Sequence, residues 1–453
     1  MADTQVGTNG HAGTPFEDGR SNSVTEMANE KNHQELRNTD GTLLYDWDGD
    51  DDPRNPFNWS KLLKWRLTVA VLVVSILFGL PAGAYGAGND EMSALFNVSN
   101  SGFPYLYFAT TSWNMGAALV PLLFVPLTET SGRMPGYFGA YIVFLIFLIP
   151  CGVAQNFQTM VVCRFFGGGA SSVAINIVGG TISDVWRGPQ QRSLPLSLFG
   201  TTSVIGIALG PFVGGAITST YLSFRWIYWV LLICIGALLP VFWFLLVETR
   251  GDIILAKEAK KWRKENPDED PRFAKAEIDM PSLATRLKIS FKRPSAKRST
   301  TGTPIPEARL YSSIPGSLLF TVGLFWYGWS SYPSLPWIVP TLGISCVGFG
   351  IYSIYLAVVN YLTDSYEKYN ASALSAASLG RNTFGAFLPL GSPALFTNLG
   401  FHWASSLLGF VALVLSLAPV LLLVKGEEIR ERSPFMKEAT FSKEDAVTTI
   451  DSV

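Results

Sequence analysis

Three polar clusters interrupt an otherwise apolar chain, and none has the make-up of a catalytic centre. The first, Glu129-Thr-Ser-Gly-Arg133, follows the second apolar span. A carboxylate and a guanidinium four apart, with Gly132 between them, suit a tight turn that pins two helix ends by ion pairs. Asp184 and Arg192, after the fourth span, can supply partners. The second is Arg164, in Val162-Cys-Arg-Phe-Phe-Gly-Gly-Gly169, near the outer end of span four. A charge at that depth is either a functional group or a side chain snorkelling to the interface, and position alone does not separate the two. The third is Asn360-Tyr-Leu-Thr-Asp364-Ser-Tyr-Glu367, at the end of span eight. There Asp364 is a candidate partner for Arg381 or for a helix N-terminus, and Glu367 reads as a solvated loop acid.

Several function classes are excluded by what accompanies these clusters. The three histidines, His11, His33 and His402, fall in the N-terminal tail and one outside loop. No GxxxxGK[ST] phosphate loop is present, so ATP-driven pumping has no support. The net charge of -1 points to no nucleic-acid partner. Cys151, Cys163, Cys234 and Cys346 fall in or beside apolar spans without disulfide-like or metal-like spacing and read as packing residues. The acidic run from Tyr45 to Trp59 lacks the downstream Glu and the flanking helices of a calcium loop. No catalytic residue, metal or cofactor is therefore expected. No span carries a carboxylate near its middle, and Asp90 and Glu91 lie at the outer ends of spans one and two. Proton coupling needs a protonatable group in the path, so this absence bears on any such mechanism.

The elements that position the clusters are membrane helices. Of 453 residues 48% are hydrophobic and only 15% charged, against about 25% charged in soluble domains. Ten apolar segments approach the ~20 residues that cross a bilayer: 66–87, 103–127, 137–155, 159–181, 198–221, 226–247, 314–331, 337–361, 372–393 and 404–424. The expected fold is all-α and polytopic. Its parts are a largely disordered tail (1–60), a first six-helix half (61–248), a basic connection (249–312), a second half of four helices (313–425) and a C-terminal tail (426–453). Lys and Arg concentrate in alternate loops (Arg133, Arg187, Arg192, the long connection, Lys368, Lys425, Arg430), which places both termini in the cytoplasm. Trp59, Trp65, Lys61, Lys64 and Arg66 suit a membrane-entry belt. Asn97-Val98-Ser99 then faces outside as a glycosylation candidate. No cleavable signal peptide is evident. Lys257 to Lys264 reads as a helix, either on the anionic inner leaflet or solvated, the second being preferred. Phe291 to Pro306 reads as flexible.

Within span five, Gly206-Ile-Ala-Leu-Gly210-Pro211-Phe-Val-Gly214-Gly215 sets small residues four apart on one face. That spacing lets two membrane helices approach closely, and Pro211 bends the helix. An ordinary close-packed helix and a transporter's pivot both fit the pattern.

Together these segments resemble the major facilitator superfamily, specifically the fungal multidrug:proton antiporters of the twelve-spanner type. Gly206-x-x-x-Gly210-Pro211-x-x-Gly214-Gly215 resembles the antiporter motif, which implies a hinge and seal helix. Pro126-Leu-Thr-Glu129-x-x-Gly132-Arg133 resembles the loop motif after span two, with Glu129 for the usual Asp and Val125 for the leading Gly; it implies a conformational latch, with Asp184, Arg192 and Asp364 as partners. Arg164 matches the span-four arginine associated with proton coupling. Phe224-Arg-Trp-Ile-Tyr228, Glu248-Thr-Arg250, Lys257 to Lys264, Pro306-Glu-Ala-Arg-Leu310, Asn360 to Asp364 and Phe387-Leu-Pro-Leu390 are similar to fungal members too.

One departure is large. In the family, Phe291-Lys-Arg-Pro294 leads into span seven and Pro306-Glu-Ala-Arg-Leu310 into span nine, yet here only eleven residues separate them. The family's spans seven and eight are therefore expected to be missing, through a skipped exon in the gene model, a truncated paralogue or a completing partner chain, the first being preferred. The implied function is proton-coupled export of amphipathic small molecules such as drugs or toxins, from a plasma-membrane monomer. Residue type suggests Tyr105, Tyr107, Trp113, Asn176, Tyr352 and Tyr355 for the cavity. A non-transporting sensor made from a truncated carrier and an uncoupled facilitator are the alternatives.

Overall fold

The computed structural model describes residues 43–98, 105–220, 222–268, 270–278, 306–332, 334–336, 338–366 and 370–431. The expectations for residues 1–42, for Ser99 of the glycosylation triplet, for Tyr221, for the stretch 291–305, for Glu367 and Lys368, and for the tail beyond 431 lie outside these residues. The chain divides into a small unit, Met1–Asp46 with Leu255–Ile278, and a large one, Trp47–Ile254 with Asp279–Val453.

The large unit is a bundle of apolar helices. The first half comprises α1 (Lys61–Ala84), the short α2 (Asn89–Phe96), α3 (Tyr107–Ser131), α4 (Arg133–Val153), α5 (Phe157–Val185), α6 (Gly188–Thr218) and α7 (Arg225–Leu245). Two of the helix starts are capped by side chains, which satisfy amides that lack a helical partner. Ser60 Oγ accepts from the Leu63 amide (3.4 Å) and Asn156 Oδ1 from the Thr159 amide (2.8 Å). Glu91, on α2, accepts from Ser223 Oγ and the Phe224 amide, both 2.5 Å, and so closes the start of α7. One continuous core built around Phe78, Phe144, Ile177 and Phe199 joins these helices.

The connection continues as α8 (Gly251–Glu265) and the single turn α9 (Lys275–Ile278). In the small unit, two-residue strands β1 (Leu44–Tyr45) and β2 (Phe273–Ala274) pair in parallel. The helix expected over Lys257 to Lys264 lies within α8, whose Arg263 pairs with Glu277 at 2.9 Å.

The second half comprises α10 (Ser313–Ser330), α11 (Ile338–Tyr366), α12 (Asn370–Leu415) and α13 (Leu417–Glu431). Eight helices among the described residues are long and apolar enough to cross a membrane. The ten expected spans differ from these eight in two places. Ser313–Ser330 is long enough, but its Ser, Gly and Trp residues lower its hydropathy and it is not among the eight. Asn370–Lys425 counts once but is 56 residues long and breaks at Gly400, whose φ of 72° and ψ of 166° are not helical. The loop expected between 393 and 404 is thus a kink, because glycine turns the chain at one residue without a Cβ penalty. A small separate cluster of Leu310, Ala357 and Tyr361 forms a second core in this half.

Candidate functional site

At the end of the bundle that carries Arg133, Arg187 and Arg192, the polar residues form one network. Gly132 ends α3 with φ of 103°, a conformation open to glycine, and α4 starts at once. The turn aims the first amides of α4 at the Glu248 carboxylate: Arg133 N donates to Oε1 (2.9 Å) and Met134 N to Oε2 (3.1 Å). The amides of Thr249 and Arg250 donate to Oε1 as well. A carboxylate at a helix N-terminus satisfies orphan amides and meets the positive end of the dipole. The buried Arg133 guanidinium then reaches Asp184 through Nε at 2.8 Å, and Arg250 approaches the same carboxylate at 3.8 Å. Thr249 Oγ1 also donates to Asp184 (3.4 Å). Three helix ends of the first half are thereby locked together.

Glu129 does something different: its Oε1 accepts from the Ser372 amide (3.2 Å) at the start of α12, so it crosses between the halves. Beside it Asn370 donates to Gly179 O (3.1 Å) and Ser183 Oγ (2.6 Å), and accepts from Thr363 Oγ1 (3.0 Å). Arg192 Nη1 donates to Thr363 O (3.5 Å). Asp364 pairs with Arg309 (3.0 Å), which also donates to Ser193 Oγ. The partner weighed for Asp364 from the sequence, Arg381, instead lies over the Tyr355 ring (5.1 Å) and donates to Ser378 Oγ (3.2 Å).

Arg164 does not snorkel. It is 1% exposed. Nε donates to Ala109 O (3.0 Å) and Nη1 to Pro81 O (3.4 Å), while the guanidinium lies over Tyr85 (4.2 Å) and Trp113 (4.9 Å). Among the described residues its Nη2 has no hydrogen-bond partner.

The glycine face of α6 meets α1. A Cβ on Gly206 would lie 2.7 Å from Ile76 O, one on Gly210 2.6 Å from the backbone of Gly83 and Ala84, and one on Gly214 2.7 Å from Ala84 O. Gly215 faces open space. The second half touches α6 elsewhere, through Tyr352 Oη and Thr201 Oγ1 (2.8 Å) and through Tyr355 and Leu356 near Gly200.

The halves also meet along α3 and α5. Thr111 Oγ1 donates to Ala386 O (2.8 Å), Asn114 Nδ2 to Gly385 O (3.1 Å) and Asn382 Nδ2 to Ala117 O (3.0 Å). Ser378 Oγ donates to Asn176 Oδ1 (3.3 Å). Of the expected cavity residues, Asn176, Tyr352 and Tyr355 thus lie where the halves meet. Trp113 is buried within the first half, and Tyr105, just before α3, is exposed. Tyr107 is the first residue of α3.

Residues 67–302, just over half of the chain, match the Major Facilitator Superfamily. The chain belongs to that superfamily. Among curated relatives, the transporter paaT of Penicillium rubens is 29% identical over 458 positions, covering 85% of this chain and 82% of the relative. The efflux pump radE of Floropilus chiversii is 27% identical, covering 86% of each. The fold is that of the proton:xylose symporter XylE, with a TM-score of 0.58 at 13% identity over 80% of this chain and 96% of that one. The chain is thus an all-α, multi-pass member of the superfamily.

Several contributors are not evident from the sequence. Glu248 stands there only as part of the family-like triplet Glu248-Thr-Arg250, and Asn370 lies outside the family-like segments. Asn-Ala-Ser at the start of a long apolar segment was the available signal for a helix start held by polar side chains. Arg309 lies in the family-like segment Pro306-Glu-Ala-Arg-Leu310, but nothing local in the sequence names Asp364 as its partner.

Proposed function

We propose that the chain is a secondary exporter of amphipathic small molecules, driven by inward proton movement and working in the plasma membrane with both termini cytoplasmic. The observation that carries this reading is Glu129 bridging to the α12 N-terminus beside the Arg133–Asp184–Glu248 knot. The basic-loop rule puts this network on the cytoplasmic side. A closed cytoplasmic side held by a few breakable polar contacts is what alternating access requires, because one half must rock against the other. Asn176, Ser378, Thr201, Tyr352 and Tyr355 offer polar and aromatic contacts at mid-depth to a substrate, and the efflux pump among the relatives supports the direction of transport. The loop-motif residues Glu129, Gly132 and Arg133, with their partners Asp184, Arg192 and Asp364, serve as the latch in this reading. Gly206, Gly210, Pro211 and Gly214 serve as the close-packed hinge. The coupling role proposed for Arg164 draws support from its burial and its unpartnered Nη2.

The test is efflux of an amphipathic dye from proteoliposomes under an imposed pH gradient. Gradient-dependent dye movement with opposite proton flux is expected. Dye movement indifferent to the gradient would leave an uncoupled facilitator. No movement at all would favour the second reading, a non-transporting membrane protein derived from a carrier. That reading has its own support: α12 and α13 bury few of their apolar side chains, with Phe384, Phe410, Val414 and Leu421 all exposed.

A further inference from the structure

We propose that a site centred on Arg381 binds the carboxylate of an organic anion at the interface between the halves. The inference rests on the transport reading and adds the substrate's charge class to it. Arg381 lies eleven residues into α12, about 16 Å from its start at 1.5 Å per residue, which is near the middle of a hydrocarbon core of about 30 Å. The register of its neighbours agrees. Tyr355 is eleven residues from the end of α11 and Asn176 nine from the end of α5, both ends lying on the same side of the membrane.

A cation at this depth is costly unless it is paired or functional. Arg381 has no acidic partner among the described residues. Its contacts are the Tyr355 face at 5.1 Å and Ser378 Oγ at 3.2 Å, which occupy one of the five N–H donors of a guanidinium. The side chain is exposed, so the remaining donors are reachable. The sequence from 370 to 425 has no Asp or Glu, and α5 and α11 carry only Asp184 and Asp364, which are engaged with Arg133 and Arg309. The second deep arginine, Arg164, has no carboxylate partner among the described residues either. The membrane-depth interior is therefore positive, and a bound anion would supply the missing counter-charge.

The surroundings specify which anion. Stacking on Tyr355 fixes the guanidinium plane and leaves its edge for a bidentate grip on a planar carboxylate. The aromatic faces of Tyr352 and Tyr355 suit an apolar or aromatic body on that carboxylate. Lipid phosphates stay at the interface, some 15 Å away on this register.

The test compares 2-naphthoate with its neutral methyl ester by calorimetry on the full-length protein in lipid nanodiscs, with empty nanodiscs as the blank. One charge-assisted bidentate contact predicts a preference for the anion of about 10- to 100-fold. Arg381→Gln is expected to abolish the preference while leaving ester binding unchanged. Arg381→Lys is expected to keep part of it. Tyr355→Leu, which keeps the charge but removes the stacking face, is expected to weaken the anion several-fold. No preference in the native protein, or a preference that survives Arg381→Gln, overturns the proposal. Arg381-dependent binding without dye efflux would count against the exporter reading and leave this site standing.

Discussion

At the scale of single residues, Gly132 shows how one backbone angle organises a network. Its φ of 103° aims the first amides of α4 at Glu248, and a Cβ there would stand 2.5 Å from Glu248 Oε2. Gly132→Ala is therefore expected to cost about 1–3 kcal/mol from backbone strain alone, read as a lower melting temperature of the purified protein. Combining it with Glu248→Ala should relieve the clash but not the strain; full recovery in the double variant would refute the backbone argument. Arg133→Gln removes the guanidinium that makes the 2.8 Å contact to Asp184, and should cost about 3–5 kcal/mol, as breaking a buried pair does. Outside the membrane, Asp52 accepts from Arg54 through both carboxylate oxygens. That contact holds its pKa down at about 2, below the ordinary value of 3.8. A depressed carboxylate stabilises the fold above its unfolded pKa, and the contribution is lost as pH falls. The loop around Asp52 should hold at neutral pH and open between about pH 4 and pH 2, whereas Asp52→Asn should open it at neutral pH. Fluorescence of nearby Trp59 would follow either change, and a pH-independent signal in the native chain would contradict the account.

At the scale of elements, the glycine helix separates what the sequence made legible from what it hid. The four-residue spacing of Gly206, Gly210 and Gly214 announces a close-packed face, and the backbone of Ile76, Gly83 and Ala84 lies against it. The identity of the facing helix was hidden, because spacing says that something approaches and not what. That neighbour is α1, with Gly79 and Gly83 presenting a matching bare surface. Pro211 adds to the fit, since it leaves the Ile207 carbonyl without its helical donor, and Gly83 packs directly on that oxygen. Gly215 belongs to the same sequence motif but sits about 100° further round the helix, in open space. Two outcomes follow. Gly210→Leu should prevent α1 and α6 from seating and abolish both thermal stability and efflux. Gly215→Leu should be tolerated in both measurements. Equal damage from the two would mean that the motif works through something other than this helix pair.

At the scale of the whole molecule, the polar network was legible residue by residue but not as a network. Glu129, Arg133 and Asp184 stood out by charge in an apolar chain, whereas their convergence with Glu248 and Ser372 depends on tertiary packing that no local pattern encodes. The proposed loss of two spans is a question at this scale. The 458 positions aligned with the transporter paaT hold 85% of 453 residues, about 385, so roughly 70 aligned positions have no residue here. Two spans of about 20 residues with their loops would fill such a gap. The superfamily match also stops at 302, inside the short connection between Pro294 and Pro306. Around the second half, α11 leans on α6 near Gly200, while Phe212 further along α6 is 75% exposed. A transcript from the native gene is expected to encode at least about 50 further residues between Ser295 and Thr303. The longer chain should bury Phe212, so that a nitroxide placed there by Phe212→Cys labelling reports less contact with lipid-borne quencher than in the 453-residue chain. A continuous transcript without the insert, joined to undiminished efflux by the shorter chain, would show instead that ten spans suffice and that α11 has taken over the packing role on α6.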